Sequence, residues 1–352
     1  MNNSHAHGRP ALQGGLLALL SATLFGISTP LVQQLGQGLG PFATAALLYF
    51  GAAIVGALLR QKAEIEARVL RSDAPRLLAV ALLGAALGPV LLAWGLQRTS
   101  GTGASLMLTL EALFTAVLAW RLYGETMGRR VWGAMLMLLA GGVLVILDQG
   151  VTSGGQWPGL LAVLVATAAW GMDNTLSRAL AERDPAQVVL AKAALGAVAT
   201  TALAVAASEP LPSAGAALGL LAVGATGYGL SLRFYLLAQR QFGAARTGSI
   251  FAFAPFIGAA LAFALGDRSA GWGVGLGGAL MLSGVALHLA ESHAHEHDHE
   301  AMEHEHAHRH DDCHHDHHPD VVPSGAHSHP HWHEPIRHSH AHVPDAHHAH
   351  DH

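Results

Sequence analysis

The sequence predicts an all-α integral membrane fold of ten transmembrane helices, arranged as two inverted five-helix repeats. Three observations predict it: apolar runs of about 20 residues, a near-constant offset between the two halves of the chain, and positive charge in alternate loops. The 352 residues are 51% hydrophobic and 12% charged, and that charged share is about half the usual share of a soluble domain. Apolar runs separated by short polar breaks are typical of helices that cross a bilayer.

Each apolar run is assigned to one span, and Leu, Ala and Gly dominate these runs. The ten predicted spans cover residues 11–33, 41–60, 76–97, 101–122, 131–148, 157–178, 186–207, 214–237, 245–266 and 272–290. The first run is longer than the apolar core of a signal peptide and lacks an obvious small-x-small cleavage site. We therefore interpret it as a retained first span.

The distribution of Lys and Arg predicts the orientation, because loops rich in these residues stay in the cytoplasm. With both termini inside, the cytoplasmic segments hold Arg9, Arg60, Lys62, Arg68, Arg71, Arg76, Arg129, Arg130, Arg178, Arg183, Arg240 and Arg246. The opposite loops hold Arg98 and Arg268. This imbalance predicts an even number of spans in the inner (plasma) membrane, with both termini cytoplasmic.

The two halves of the chain look like copies of each other. A shift of 145 residues aligns Gly14, Leu16, Leu19, Gly26, Leu31 and Leu35 with Gly159, Leu161, Leu164, Gly171, Leu176 and Leu180. The same shift pairs Phe25 with Trp170, and a shift of 144 pairs Glu111 with Pro255. Because each half holds an odd number of spans, the copies insert with opposite orientation. Inverted repeats place a substrate site near the midplane between them.

Several short motifs carry a family resemblance over residues 11–290. They are Trp170-Gly171 followed by Lys192 in the next span, Glu111 in mid-helix, and the closing pairs Gly124-Glu125 and Gly266-Asp267. With these features the chain resembles an EamA-type member of the drug/metabolite transporter superfamily. The resemblance implies ten helices in two inverted repeats and the movement of small metabolites, usually outward. It does not indicate which solute is moved.

The first half departs from the family pattern. Phe25-Gly26 stands in place of Trp-Gly, and Leu47 or Leu48 stands where Lys192 would fall. The polar residues are therefore concentrated in the second half. The predicted organisation has a cytoplasmic N terminus (1–10), a first repeat (11–148), a second repeat (157–290) and a cytoplasmic tail (291–352).

Asp173 and Lys192 are ionisable residues inside predicted spans. Such residues face a partner or a wet cavity as a rule and mark functional sites by default. At a rise of 1.5 Å per residue, both lie about 10 Å from the cytoplasmic face. We expect them to form an ion pair or an inner gate that substrate or a proton opens. The alternative is a structural pair that joins two helices and never contacts substrate.

Glu111 lies about 15 Å deep, close to the bilayer midplane. A carboxyl group at that depth suits proton coupling or cation binding, so Glu111 is the candidate for the central site. The alternative is a hydrogen-bonded core glutamate with no role in transport. Asn174 either binds polar groups of the substrate or, as we favour, bonds between helices.

The tail differs from the rest of the chain, because 23 of the 26 histidines lie in residues 293–352. The pattern His-x-His recurs at His293, His295, His297, His299, His304, His306, His308 and His310. Without apolar periodicity this segment cannot bury a core, so we predict that it is disordered. Imidazole ligands favour Zn, Ni, Co and Cu, which predicts a loose buffer for several ions. The alternative is a solvated tail that responds to pH.

A secondary transporter is the predicted function, with no cofactor required. The cargo is either a divalent metal ion, which the tail delivers, or an organic metabolite, in which case the tail only buffers or senses metal. Outside the tail junction at His288 the spans contain no His and no Cys, which argues against an intramembrane enzyme. The sequence has no basic patch of the kind that binds nucleic acid. A membrane metal sensor and a homodimer are left open.

Overall fold

The computed structural model describes residues 8–60, 67–123, 128–152, 155–177, 180, 183–242 and 244–289, and four short tail segments. The α-helices are α1 (Gly8–Leu35), α2 (Pro41–Leu58), α3 (Ala74–Val80), α4 (Gly88–Leu96), α5 (Gly101–Met107), α6 (Glu111–Tyr123), α7 (Arg129–Thr152), α8 (Trp157–Ser177), α9 (Pro185–Ala206), α10 (Ala214–Val223), α11 (Ser231–Phe242), α12 (Ala244–Phe251), α13 (Ala254–Ala264) and α14 (Trp272–Leu289). Short 3₁₀ turns are Arg71–Asp73 and Leu108–Leu110.

Eight helical segments of the described chain are long and apolar enough to cross a bilayer, and they coincide with the first eight predicted spans. The fourth span is continuous through α5, a 3₁₀ turn and α6. The predicted ninth span corresponds to α12 and α13, and the tenth corresponds to α14. Their apolar stretches are shorter than 18 residues. The multi-pass helical architecture is therefore confirmed, and the count of ten stays a prediction.

Span boundaries coincide with local signals for helix starts. Pro41 and Pro185 occupy the first positions of α2 and α9, where their missing N–H is not needed. The Ser100 side chain accepts a hydrogen bond from the N–H of Gly103 at 2.9 Å and caps α5. Asp184 does the same for the N–H of Ala186 at 2.9 Å at the start of α9. Such caps satisfy N–H groups that have no partner inside the helix.

Two π-helical turns interrupt the third and eighth spans at matching places. One covers Ala81–Leu87, and the other, Gly224–Leu230, begins 143 residues later. Each turn contains a glycine at its fourth position, Gly84 and Gly227, against which another span packs. Single π turns are rare in proteins, and those that do occur are often found at functional sites. Their recurrence at nearly the offset of the sequence repeat supports the similarity of the two halves.

Helices of the two halves pack against each other along most of their length. α1 lies against α11 and α13, α2 against α9, and α7 against α14. Glycines permit these close contacts: a Cβ on Gly56 would lie 2.7 Å from the backbone nitrogen of Leu190. Gly141 likewise faces the backbone of Gly277. Packing of small residues is the main source of helix association in lipid, and it joins the two halves into one bundle.

Four strands are described in the tail. They are β1 (Ala294–Asp298), β2 (Met302–His308), β3 (His327–His333) and β4 (Arg337–Ala341), with β1 antiparallel to β4 and β2 antiparallel to β3. The sequence predicts no regular structure here, but the alternation of His with other residues matches the two-residue period of a strand. The candidate ligands His293, His299 and His310 lie outside the described residues.

Candidate functional site

The bundle has two polar ends. We call one the glutamine end, where Gln33, Gln97 and Gln156 lie, and the other the arginine end, where Arg71 and Arg183 lie. The fourth span starts at the glutamine end with α5 and finishes at the arginine end with α6. The predicted site residues lie between these two ends.

Asp173 on α8 and Lys192 on α9 form the ion pair that their equal depth predicts. The Lys192 ammonium donates to Asp173 Oδ2, and the Ser177 hydroxyl donates to Asp173 Oδ1 at 3.2 Å. Both charged side chains are buried: 8% of the Lys192 side chain and 4% of the Asp173 side chain is exposed. In this conformation the pair joins two helices and offers little surface to a solute.

A glycine in the first π turn makes room for this ion pair. A side chain at Gly84 would overlap the Asp173 carboxylate. The Gly84 carbonyl accepts two further hydrogen bonds, from the Tyr49 hydroxyl and from Trp170 Nε1 at 2.9 Å. The Trp170-Gly171 motif therefore anchors α8 to the third span beside the charged pair, which gives the tryptophan a structural reason.

Glu111 and Asn174 form the second polar pair. The Asn174 amide donates to Glu111 Oε1, and both residues are partly exposed. The two helices approach closely because Gly171 lacks a side chain: a Cβ there would lie 2.7 Å from the Cβ of Phe114. Since Asn174 follows Asp173 in the chain, α8 brings both polar pairs into one cluster. The sequence predicts them as separate sites, an inner gate and a central site.

Exposure changes abruptly along the fourth span. Residues 101–110, which face the glutamine end, are all buried, whereas residues 111–118 are all partly exposed. Carboxyl and amide groups avoid lipid contact, so we expect a water-accessible cavity beside Glu111 and Asn174. Because residues 101–110 are buried, such a cavity would open toward the arginine end.

Aromatic side chains form a connected cluster next to the polar pairs. The ring of Phe25 lies 6.1 Å from that of Trp170 and 5.4 Å from that of Phe251. The Tyr235 ring lies 5.0 Å from the Phe251 ring. Phe25, Tyr235 and Phe251 are partly exposed and present an apolar surface. The sequence indicates only Phe25 and Trp170, through the repeat, because the other two rings belong to no motif.

The glutamine end is closed by amide hydrogen bonds. Gln33 on α1 donates to the carbonyls of Leu96 at 3.0 Å and Thr99 at 2.9 Å. The side chain of Gln156 accepts from the N–H of Ser100 at 3.0 Å. These bonds fix the short loop between the third and fourth spans to helices on both sides.

Carboxylates cap three helices at this same end. Asp267 accepts from the N–H of Thr102 at 2.8 Å, and Asp148 accepts from the N–H of Gly271 at 3.0 Å. Glu209 accepts from the N–H of Ala43 at 2.7 Å. Each carboxylate and its helix come from different halves of the chain. A negative charge at a helix N terminus is favourable, so these caps hold the halves together.

The pKa of Asp267 reflects this capping. Partial burial raises the pKa, but hydrogen bonds from the Ser269 hydroxyl and from the backbone N–H groups of Thr102 and Ser269 outweigh it. The pKa of this carboxyl therefore lies below its ordinary value, and Asp267 is ionised at neutral pH. The sequence picks out Gly266-Asp267 as a family motif without indicating what it does.

The arginine end has its own links between the halves. Arg183 Nε lies 3.0 Å from Asp73 Oδ2. The N–H of Val69 donates to Gln187 Oε1 at 3.0 Å. These contacts join the α2–α3 connection to the α8–α9 connection and to the start of α9.

Metal binding by the tail stays a prediction. Among the residues that the structure describes, no three His, Cys, Asp or Glu side chains are grouped to hold a metal ion. His295 and His297 lie in β1, and His304, His306 and His308 lie in β2. The remaining three candidate ligands fall outside the described segments.

Comparisons with known proteins agree with this architecture. The sequence pattern of the EamA-like transporter family matches the chain twice, over residues 12–147 and 157–290. An uncharacterized transporter from Methanothermobacter thermautotrophicus is 27% identical over 293 residues, which cover 77% of this chain and 84% of that protein. A solved crystal structure shares the fold, with a TM-score of 0.53 at 21% identity over 80% of this chain and 96% of the other. The chain is a multi-pass membrane transporter rather than an enzyme, and it belongs to the EamA-like transporter family.

Proposed function

We propose that the protein is a secondary transporter of the inner membrane that exports a small solute by alternating access. One observation carries the proposal: Glu111 and Asn174 are partly exposed at mid-bundle, and the glutamine-end half of the span that carries Glu111 is buried. With both termini in the cytoplasm, the arginine end faces inward. The cavity is then open to the cytoplasm, which is where an exporter takes up its cargo.

The proposed mechanism uses two inverted five-helix repeats. The double match to the family and the matching π turns at Ala81–Leu87 and Gly224–Leu230 support two copies of one unit. Rocking one repeat against the other would close the arginine end and open the glutamine end around a fixed central site. In this cycle the Asp173–Lys192 pair is a relay or inner gate, and Glu111 is the central binding and proton-coupling group.

The side chains at the site favour an organic solute as cargo. Glu111 and Asn174 offer one carboxylate and one amide, whereas Zn, Ni, Co and Cu favour imidazole or thiolate ligands, which the spans lack apart from His288 at the tail junction. The partly exposed rings of Phe25, Tyr235 and Phe251 suit a carbon skeleton. A polar organic metabolite fits this combination of an acidic group, an amide and an apolar wall.

Metal-linked efflux is the second candidate, and the tail favours it. Its 23 histidines in residues 293–352 suit Zn, Ni, Co or Cu, and the proposed orientation puts them on the side where the cavity opens. Growth and cell metal content with and without the gene, on graded concentrations of each metal, test this candidate. Unchanged tolerance and unchanged metal content would leave the tail as a buffer or sensor only.

The experiment for transport itself starts from purified protein. Thermal stabilisation by a panel of amino acids, amines, sugars and divalent metals selects candidates, and each candidate is then assayed for uptake into proteoliposomes. We expect saturable uptake that Glu111→Gln abolishes and Glu111→Asp partly retains. Absence of uptake of every stabilising compound, with protein shown to be folded and inserted, would contradict the proposal.

A further inference from the structure

We propose that one face of the buried half of the fourth span, carrying Thr102, Ser105 and Thr109, lines the exit pathway of the solute. These hydroxyls would bind hydrogen-bonding groups of a polar organic cargo as it leaves. The Asp267 cap on Thr102 holds the pathway closed in the present conformation. This inference rests on the proposed function and names the route by which that transporter releases its cargo.

The first evidence is an absence of partners. Ser105 is 0% exposed and Thr109 is 3% exposed. Their hydroxyls nevertheless have no hydrogen-bond partner among the described residues. Several other hydroxyls in the spans donate to the carbonyl four residues earlier: Thr167 to Val163 at 2.7 Å and Thr200 to Gly196 at 2.7 Å, for example. Among the described residues the hydroxyls of Tyr228 and Thr247 also lack a partner. Buried polar groups without partners are rare and unfavourable.

The second evidence is the placement of these hydroxyls. Positions 102, 105 and 109 are three and four residues apart, so they share one face of the helix. Ser105 on this face packs against Gly258 of α13, where a Cβ would lie 2.9 Å from Ser105 Oγ. The same Cβ would lie 2.8 Å from the Gly26 carbonyl oxygen of α1. Ser105 is thus pressed into the seam where α1, α5 and α13 meet, and Thr109 follows on the same face in the 3₁₀ turn, which packs against α7 and α8.

The seam explains why the hydroxyls lack partners. A glycine offers no side chain to bond, and neither hydroxyl donates to a carbonyl of its own helix. Closing the seam therefore leaves these hydroxyls unsatisfied, whereas opening it would expose them to water or to a solute. The conformation that satisfies Ser105 and Thr109 is one in which α5 and α13 have separated.

A polar cavity lies where the seam reaches the glutamine end. It has a volume of 510 Å³, and Gln33 from α1, Gly101 from α5 and Ala262 from α13 all line it. Asp267 lines the same cavity and, from the segment that follows α13, accepts the Thr102 N–H at 2.8 Å. This bond crosses the seam, so the two helices cannot part at this point until it breaks.

Cysteine accessibility tests the inference, because Cys313 is the chain's single native cysteine. In a Cys313→Ser background, Thr102→Cys, Ser105→Cys and Thr109→Cys would be treated with a membrane-impermeant thiol reagent from outside the cell. Leu106→Cys and Leu110→Cys are matched controls on the same helix. Leu106 faces Gly278 of α14, and Leu110 faces Gly142 of α7.

Asp267→Ala should raise the labelling of the three seam positions by about tenfold, the equivalent of one charge-assisted hydrogen bond, and leave both controls unchanged. Ser269→Ala removes a hydroxyl that donates to Asp267 at 2.5 Å and should give a smaller increase. It serves as the second variant if Asp267→Ala folds poorly. A transported solute should also raise labelling at the seam.

Equal labelling of the controls and the seam positions would overturn the inference, as would seam positions that stay unlabelled both in the cap variants and during transport. If uptake is measured and the seam stays unlabelled, the exit route is wrong and the proposed function stands. If no solute is taken up while Asp267→Ala exposes the seam selectively, the proposed function fails and the opening of the seam is confirmed.

Discussion

The two halves of the fourth span form one continuous helix and yet have opposite environments. Residues 101–110 are buried and begin at the Asp267 cap on Thr102, whereas residues 111–118 are partly exposed beside Asn174. Composition does not cause the contrast, since both halves are mainly apolar. It comes from the partners, which enclose residues 101–110 and leave residues 111–118 partly uncovered. Under the proposed function, the difference is that of one conformation of a two-state transporter.

The largest effect is expected at the junction of the two halves. Glu111→Gln keeps the size of the side chain and a hydrogen bond with Asn174, but it removes the charge and the exchangeable proton. We expect the initial transport rate in proteoliposomes to fall to background, with thermal stability little changed. A Gln variant that transports at the rate of the unchanged protein would remove Glu111 from the central site.

The next effect concerns the buried ion pair of Asp173 and Lys192. Asp173→Asn leaves the Lys192 ammonium buried without a counter-charge, which we expect to destabilise the protein by about 3–5 kcal/mol. Thermal melting in detergent measures this change. The pair Asp173→Asn with Lys192→Met should recover most of the stability. A charge-swapped double variant that restores no activity lost in the single variants would count against the pairing.

A smaller effect is expected at the π turn that accommodates the pair. Gly84→Ala would place a methyl group against the Asp173 carboxylate, and overpacking of this kind costs about 1–3 kcal/mol. Gly275→Ala on α14 is the matched control, because a Cβ there would meet nothing within 4 Å. Equal melting temperatures for the two variants would show that the π turn yields easily.

The smallest effect at neutral pH is expected at the Asp267 cap. Its pKa is lowered in the folded protein, so the cap's contribution to stability is complete above the ordinary pKa of about 3.9 and is lost as the pH falls through the lowered value. Because the thiolate is the reactive form of cysteine, labelling of the Ser105→Cys variant is divided by that of the same variant denatured at the same pH. This ratio should stay constant from pH 8 to pH 5 and rise only in stronger acid. An increase between pH 7 and pH 6 would contradict this assignment.

Much of the membrane architecture could be predicted from the sequence, because a bilayer demands long apolar runs and leaves little else. Because the spans hold few ionisable residues, Asp173, Lys192 and Glu111 could be picked out from the sequence. The helical rise correctly predicted that Asp173 and Lys192 meet. Both depend on one-dimensional quantities, hydropathy and distance along a helix.

Other features depend on contacts that no local pattern encodes. The link between Glu111 and Asn174 requires the close approach of α6 and α8 at Gly171. The π turns at Gly84 and Gly227 shift which faces meet, and the seam at Ser105 exists only through glycines on two distant helices. In a chain with 41 glycines, those that matter cannot be distinguished by sequence alone.

The sidedness of the cavity is the central claim, and Thr115 on the partly exposed half of the fourth span tests it most directly. In the Cys313→Ser background, Thr115→Cys would be treated with an impermeant thiol reagent in intact cells and in inverted vesicles. We predict rapid labelling in inverted vesicles, where the cytoplasmic face is outside, and little labelling in intact cells. Rapid labelling in intact cells and none in inverted vesicles would contradict a cavity that opens to the cytoplasm.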